Sequence, residues 1–163
     1  MKKQIALLML AAGLVTGAQA ETLRGVVIGV TDGDTVKVLT EDMQTVTVRV
    51  AGIDAPEKDQ PFGSRSKWSL SACAYGRAAE IEGGKRDRYG RTVGKVIVSG
   101  ADCGLRQIEA GMAWHYKAYQ REQSVGDRQM YSIAEGDARE AGRGLWGQHA
   151  EAPWEWRKGR SQK

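Results

Sequence analysis

Three short stretches of alternating side chains near the start of the chain restrict its fold more than any other feature. Residues 23–31, 35–40 and 44–50 carry β-branched side chains at every second position, as with Val26 and Ile28 on one face of the first stretch. A period of two predicts β-strands. Because turns of a few residues join antiparallel neighbours, whereas parallel strands need long crossovers, the pattern favours a small barrel over a parallel βαβ sheet.

The rest of the chain adds two strand patterns and three helical ones. Residues 77–82 are a weak strand candidate, because alanine is a poor strand former, and residues 93–99 are a stronger one. Five strands, with helices after the third and the fifth, predict an α+β fold built on a small, partly open barrel. The helical patterns are residues 64–75, with Trp68, Ala72 and Tyr75 on one stripe, a short segment capped by Asp102, and residues 119–140.

Residues 1–20 have the pattern of a cleaved signal peptide. Lys2 and Lys3 precede an apolar run over residues 5–15, and Ala18 and Ala20 form a small-residue cleavage site. We therefore expect a mature chain from about Glu21 that is periplasmic or secreted. An uncleaved membrane anchor is the alternative, but the run is shorter than the ~20 residues that span a bilayer, and no second run follows. The mature form is thus expected to have no membrane contact.

The charge of the mature chain is nearly balanced. The whole sequence has 24 basic and 20 acidic residues, and removing Lys2 and Lys3 leaves a net charge of +2. Attraction to polyanions must then come from local clusters rather than from the overall field. Two basic clusters are present: Lys85, Arg86, Arg88 and Arg91, and the tail residues Arg157, Lys158, Arg160 and Lys163.

No linker or repeat divides the mature chain, so we expect one domain over residues 21–150 and a tryptophan-rich, basic tail over residues 151–163. Trp154 and Trp156 are expected to pack this tail onto the domain, since a disordered basic tail has little need of indoles. A monomer is expected, although no residue pattern specifies the oligomeric state.

Cys73 and Cys103 are the two cysteines of the sequence. Export to an oxidising compartment favours a disulfide between them over two free thiols. The sequence does not show whether their Cα atoms approach within bonding distance.

Acidic and arginine side chains cluster in three motifs at the ends of strand patterns. They are Asp32-Gly33-Asp34-Thr35, the segment from Arg49 to Glu57 that includes Asp54, and Asp87-Arg88-Tyr89-Gly90-Arg91. Carboxylates of this kind suit Ca²⁺ or Mg²⁺, and guanidinium groups bind phosphate oxygens in a fork. Together they are suited to metal-assisted attack on a phosphodiester.

Each motif also has a simpler interpretation. The first can be a turn with solvated acids, and the arginines can be surface ion-pair partners. An EF-hand is excluded because Lys37 and Met43 stand where that loop needs glycine and glutamate, and the lack of nearby His or Cys pairs argues against zinc. His115 is expected to form part of the cleft wall rather than to carry protons. The coincidence of all three motifs in one chain favours the functional interpretation.

The motifs D-G-D-T, R-V-x-G-I-D-x-P-E and D-R-Y-G-R, with E-A-G-R-G-L-W further on, resemble the thermonuclease (staphylococcal-nuclease-like) family over residues 22–147, and the tail resembles a secreted bacterial branch. The resemblance implies a five-stranded OB-fold β-barrel with about three α-helices. It also implies Ca²⁺-dependent endonucleolytic cleavage of DNA and RNA that leaves 3′-phosphate ends.

The same resemblance implies a role for each matching residue. Asp34 and Asp54 resemble the calcium ligands, with the main-chain carbonyl of Ala55 as a third ligand in place of the family's frequent threonine. Thr35 resembles a residue that supports the metal from outside its coordination sphere.

Glu57 resembles the carboxylate that orients or deprotonates the attacking water, and Arg49 and Arg91 resemble the pair that binds the phosphate. Two other classes of protein stay open at this point. A non-catalytic nucleic-acid-binding OB-fold module would use the same barrel without cleavage, and a secreted structural protein would neither bind nor cleave.

Overall fold

Five strands close into a barrel in the computed structural model, which describes residues 22–161; the predicted signal peptide lies outside these residues. The strands are β1 (Thr22–Val30), β2 (Thr35–Thr40), β3 (Thr45–Val50), the short β4 (Ile53–Asp54), β5 (Ala78–Arg86), β6 (Thr92–Val98), and the short β7 (Ala101–Asp102) and β8 (Trp114–His115). Antiparallel pairing runs in the order β3-β2-β1-β5-β6, and β3 also pairs in parallel with β6.

The α+β class and the five-stranded OB-fold barrel are confirmed, but the barrel is closed rather than partly open. Closure comes from the pairing of Val48 to Val50 with Thr92 to Gly94. These partners are more than forty residues apart, so the alternating pattern of either strand alone could not reveal the contact.

Four α-helices surround the barrel within the described part of the chain. Ser124 caps the third, accepting a hydrogen bond from the backbone N–H of Asp127 at 3.0 Å. This cap places the helix start at Val125 rather than near residue 119, and the preceding segment Lys117–Glu122 is a 3₁₀ helix. The helices are α1 (Gly63–Ala74), α2 (Cys103–Glu109), α3 (Val125–Glu140) and α4 (Pro153–Ser161), and a further 3₁₀ helix covers Gly144–Gly147. The fourth helix lies in the segment predicted as a tail.

Two predictions about which face is apolar differ from the structure. In β1 the core side chain is Val27, which is 0% exposed, whereas Ile28 is 43% exposed. In α1 the expected aromatic stripe faces outward, with Trp68 75% exposed, and the buried side carries Ser66 and Leu70. At Ser66 the buried face of α1 has no room for a large side chain, because the helix there approaches the turn between β1 and β2 closely at Gly33.

The predicted disulfide is present. Cys73 on α1 and Cys103 at the start of α2 are bonded, with Cα atoms 5.8 Å apart. The bond joins the two helices that pack beside the turn between β1 and β2. Over residues 22–161, no helix combines the length and apolar character that a membrane span requires.

Candidate active site

The turn between β1 and β2 presents the first acidic motif. The backbone N–H of Asp34 donates to Asp32 Oδ1 at 3.1 Å, and the N–H of Thr31 donates to the carbonyl of Thr35 at 2.9 Å. Gly33 is required here for space rather than for a left-handed backbone, since an added Cβ would overlap Ser66 of α1. The motif is therefore a turn held rigidly against the body of the protein.

A buried glutamine on α2 fixes this turn, and sequence reasoning missed it. Gln107 donates through Nε2 to the carbonyl of Gly33 at 2.8 Å and to the carbonyl of Ser66 at 2.9 Å. Ser66 in turn donates to the carbonyl of Met112 at 2.7 Å. Glutamine in a helix is ordinarily solvated, so nothing in the sequence pattern pointed to Gln107.

Arg49 brings the two predicted calcium-binding carboxylates together. Its strand pairs Arg49 with Thr35, so its side chain lies beside the acidic turn. One guanidinium nitrogen is 3.0 Å from Asp34 Oδ2, and the other is 3.0 Å from Asp54 Oδ1. Because both carboxylates touch one guanidinium, residues from the turn before β2, from β3 and from β4 form a single cluster.

Further hydrogen bonds orient these carboxylates. The backbone N–H of Ala55 donates to Asp34 Oδ2 at 2.8 Å, and the hydroxyl of Thr35 donates to Asp34 Oδ1 at 3.1 Å. Asp54 is 1% exposed. Burial raises its pKa, while the guanidinium groups of Arg157 and Arg49 oppose that rise.

Asp32 is a further acidic side chain in the turn before β2, and no individual role was predicted for it. Burial, followed by the charge of neighbouring Asp34, raises the pKa of Asp32 to about 6. Both side chains line one cleft of about 780 Å³. The acidic turn thus concentrates negative charge at the floor of this cleft.

Glu57 lies in the same cleft, two residues beyond Ala55. Its backbone N–H donates to Gln60 Oε1 at 3.0 Å, which holds the loop after β4. The carboxylate is partly exposed and accepts a hydrogen bond from Arg157 at 2.7 Å.

Arg91 enters the cleft from the hairpin between β5 and β6. Its Nε donates to Asp87 Oδ2 at 2.7 Å, and its guanidinium lies 5.4 Å from the centre of the Tyr89 ring. Arg91 contacts neither Asp34 nor Asp54 in the ion pairs of the described residues, so it faces the carboxylate cluster from another element of the same cleft.

The wall of the cleft differs from the prediction at His115. Tyr116 and Tyr119 line the cleft, as a base-stacking surface would. His115 does not line it: the ring is buried against Tyr131, with centroids 5.7 Å apart, and Nε2 lies 2.8 Å from Gln123 Oε1. The expectation that His115 forms the cleft wall was therefore wrong, because β8 points this side chain toward α3.

Arg157 of α4 is the largest addition to the predicted site. Its guanidinium lies 2.8 Å from Asp54 Oδ2 and 2.7 Å from Glu57 Oε1. Burial alone would lower the pKa of Arg157, but these two carboxylates outweigh it and raise the pKa above its ordinary value. Arg160 pairs similarly with Asp59. These two tail arginines are neutralised by the domain itself, so they do not form the free basic cluster that the sequence suggested.

The side chains present fit a hard cation. Asp34, Asp54 and the carbonyl of Ala55 supply only oxygen, which is the donor type that Ca²⁺ prefers. No group of three acidic, histidine or cysteine side chains within residues 22–161 is arranged as a ready metal site. Guanidinium groups of Arg49 and Arg157 instead contact the carboxylate oxygens.

Comparisons with known proteins agree with this geometry. The family model described as staphylococcal nuclease homologue matches residues 47–148. The chain is 40% identical to a micrococcal nuclease of Shigella flexneri, over 83% of this chain and 80% of the relative. It is 38% identical to Protein ParB of Escherichia coli, over 83% and 80% of the two chains, and 36% identical to an uncharacterized endonuclease of Haemophilus influenzae, over 81% and 71%. The chain therefore belongs to the staphylococcal nuclease homologue family and is a thermonuclease-like hydrolase.

Proposed function

We propose that this protein is a calcium-dependent endonuclease that hydrolyses DNA and RNA and leaves 3′-phosphate ends. The observation that carries the proposal is the cluster of Asp34, Arg49 and Asp54, which shares one cleft with Glu57 and Arg91. Membership of a nuclease family supports the reaction class.

In this proposal Asp34, Asp54 and the Ala55 carbonyl hold Ca²⁺, and Thr35 steadies Asp34 through its hydroxyl. The cation supplies positive charge that neutralises the phosphate. Asp34 and Asp54 are buried, so charge interactions at their carboxylates are stronger than they would be in water.

Glu57 accepts the proton of the attacking water. The water oxygen forms a bond to phosphorus as the bond from phosphorus to the 5′ oxygen breaks. The departing 5′ oxygen takes a proton from solvent water and Glu57 returns its proton to solvent, which leaves a 3′-phosphate and a 5′-hydroxyl. Arg49 and Arg91 donate to the phosphate oxygens as negative charge develops. Donors fixed in this way contribute about 3 to 4 kcal/mol each, so both arginines together supply only part of a barrier reduction that reaches ~23 kcal/mol in enzymes. Substitutions of single residues should consequently be severe and non-additive.

The test is an assay of the mature chain against plasmid DNA and against RNA, in Ca²⁺ and in excess chelator, with analysis of the product ends. We expect cleavage of both substrates in Ca²⁺, 3′-phosphate ends, and loss of activity in chelator. Undiminished cleavage in chelator would refute the calcium requirement. A non-catalytic binding module would instead shift the mobility of nucleic acid in Ca²⁺ without forming products.

Arg91→Ala tests the division of roles. We expect turnover to fall about 10²- to 10³-fold with the protein still folded, because Arg91 lies on an exposed hairpin outside the core. Arg88→Ala is the matched comparison at saturating substrate, since it removes the same charge from the same loop, where Arg88 lies 5.3 Å from the Tyr89 ring. It is expected to weaken substrate binding and to leave turnover little changed. Near-normal turnover in Arg91→Ala, or equal losses in both variants, would remove Arg91 from the catalytic group.

The proposal extends to the location and organisation of the chain. We propose export with removal of residues 1–20, which the disulfide between Cys73 and Cys103 supports because such bonds persist in oxidising compartments. The catalytic domain is residues 21–150, followed by the segment 151–163, and the protein acts as a monomer. Mass spectrometry and light scattering of exported protein measure the start of the mature chain and its oligomeric state.

A further inference from the structure

Helix α4 packs beside the catalytic cleft, and its first turn contacts aromatic side chains of the domain. The ring of Trp154 stacks on Tyr116, with centroids 5.8 Å apart and planes at 23°. The same indole meets Trp114 edge-on at 6.2 Å. Tyr116 lines the cleft, and Trp154 covers one face of its ring, so a nucleobase cannot stack on that face while α4 is in place.

The middle of α4 delivers a cation to the carboxylates. Arg157 donates from one nitrogen to Glu57 at 2.7 Å and from the other to Asp54 Oδ2 at 2.8 Å. These are the oxygens of one proposed calcium ligand and of the proposed general base. The guanidinium thus stands where the proposed reaction needs the cation and the water.

Two further contacts hold the segment on either side of Arg157. Gln60 Nε2 donates to the carbonyl of Glu151 at 2.6 Å, and Arg160 pairs with Asp59. Both partners belong to the loop that carries Glu57. The segment 151–161 is therefore attached to the loop after β4 at three points, and the contact between Arg157 and Glu57 lies in the cleft.

Charge explains why Arg157 and Ca²⁺ exclude each other. Asp54 is 1% exposed, and a buried carboxylate without a positive partner is costly. Arg157 provides one such partner, on Oδ2, and Arg49 provides the other, on Oδ1. A divalent cation on the same oxygens would be repelled by the guanidinium, so binding one weakens the hold of the other.

The ion pairs that hold α4 in place can exchange with a bound cation and with solvent. Arg160 and Asp59 are both largely solvated, so their pair contributes little by itself, and the side chain of Arg157 is 43% exposed and thus within reach of water. Helix α4 has only nine residues, and short helices depend on their packing contacts.

We propose that α4 is an autoinhibitory strap, in which Arg157 takes the place of the divalent cation and Trp154 takes the place of a nucleobase, and that Ca²⁺ together with single-stranded nucleic acid displaces it. This inference rests on the proposed function, because it assigns the displaced contacts to the calcium and base positions. It accounts for a basic, tryptophan-rich tail whose arginines point inward.

The first test measures Ca²⁺ affinity by isothermal titration calorimetry in the mature chain and in two variants. Arg157→Ala removes the competing cation and should tighten Ca²⁺ binding about 10-fold. Lys158→Ala is the matched control: it removes one positive charge from the same helix, but Lys158 pairs only with Glu155 of that helix among the described residues. Its affinity should equal that of the parent chain. Equal or weaker binding in Arg157→Ala would overturn the proposal.

A second measurement uses the unaltered mature chain and so does not depend on how well a variant folds. Hydrogen exchange of the amides in residues 153–161 should be slow in chelator and several-fold faster with Ca²⁺ and a nuclease-resistant single-stranded oligonucleotide. Unchanged exchange in this segment would overturn the strap. If cleavage still requires Ca²⁺ in that case, the proposed function stands without it; if Ca²⁺ neither binds nor supports cleavage, the proposed function fails and the strap with it.

Discussion

At the scale of single residues, Asp87 decides where Arg91 points. Its carboxylate accepts the backbone N–H groups of Tyr89 and Arg91, each at 2.9 Å, and the Arg91 Nε at 2.7 Å. Asp87→Asn keeps an oxygen for the turn but loses the charged pair, whereas Asp87→Ala loses both. We expect turnover to fall about 10-fold in the first variant and about 100-fold in the second, because small misplacements of a phosphate-binding group are costly. Steady-state kinetics on a defined oligonucleotide measures both.

The pH dependence of this pair is a further check on the interpretation. Burial raises the pKa of Asp87, but hydrogen bonds from Arg91 and Tyr89 outweigh it, so the net pKa lies below the ordinary 3.8. A lowered pKa means that the pair stabilises the loop above about pH 3.8 and is lost only as pH falls through the lower folded value. Turnover of the parent chain should thus show no step from Asp87 between pH 5 and 9. Equal turnover in Asp87→Ala and the parent chain would contradict the positioning role.

At the scale of elements, the sequence predicted strands better than it predicted faces and contacts. The alternation in β3 identified the strand, because period two is a local property, whereas the contact of Arg49 with the acidic turn depends on the pairing of β3 with β2. The outward face of α1, with Trp68 exposed, depends on the close approach of Gly33, which no local pattern records. Likewise Arg157 reaches Asp54 across 103 residues of chain, so its inward direction could not be inferred.

The link between α1 and α2 gives a prediction about stability. Cys73 and Cys103 are separated by 30 residues, and closing a loop of that length in the unfolded chain corresponds to about 3 to 4 kcal/mol in the chain-entropy account. Replacing both with alanine should lower the free energy of unfolding by about that amount, measured by urea denaturation with an unchanged slope. Neither cysteine touches the carboxylate cluster, so turnover at low temperature should stay near that of the parent chain. A loss below about 1 kcal/mol would contradict the entropic role of the bond.

At the scale of the whole molecule, charge is distributed so that the cleft alone attracts nucleic acid weakly. The cleft is lined by seven basic and eight acidic side chains. The chain after residue 20 has a net charge of only +2. A polyanion therefore meets little general attraction, unlike the strong field of a protein with an overall basic surface.

Binding of a divalent cation changes this balance, and it gives the last prediction. Ca²⁺ adds positive charge at the acidic floor of the cleft, so affinity for a nuclease-resistant single-stranded oligonucleotide should rise about 10-fold between chelator and saturating Ca²⁺. Fluorescence anisotropy measures this without interference from cleavage. In Ca²⁺ the plot of log affinity against log salt should be shallow, because five of the seven basic side chains of the cleft already form ion pairs among the described residues.

Arg88→Ala tests the salt dependence, and Lys67→Ala is its control. Arg88 is exposed in the cleft hairpin, so its removal should reduce the slope by about 0.7, as loss of one phosphate contact on a single strand does. Lys67→Ala, on the exposed side of α1, removes the same charge away from the cleft and should leave the slope unchanged. Equal affinity in chelator and in Ca²⁺, or equal slopes in all three proteins, would mean that surface charge outside the cleft dominates binding.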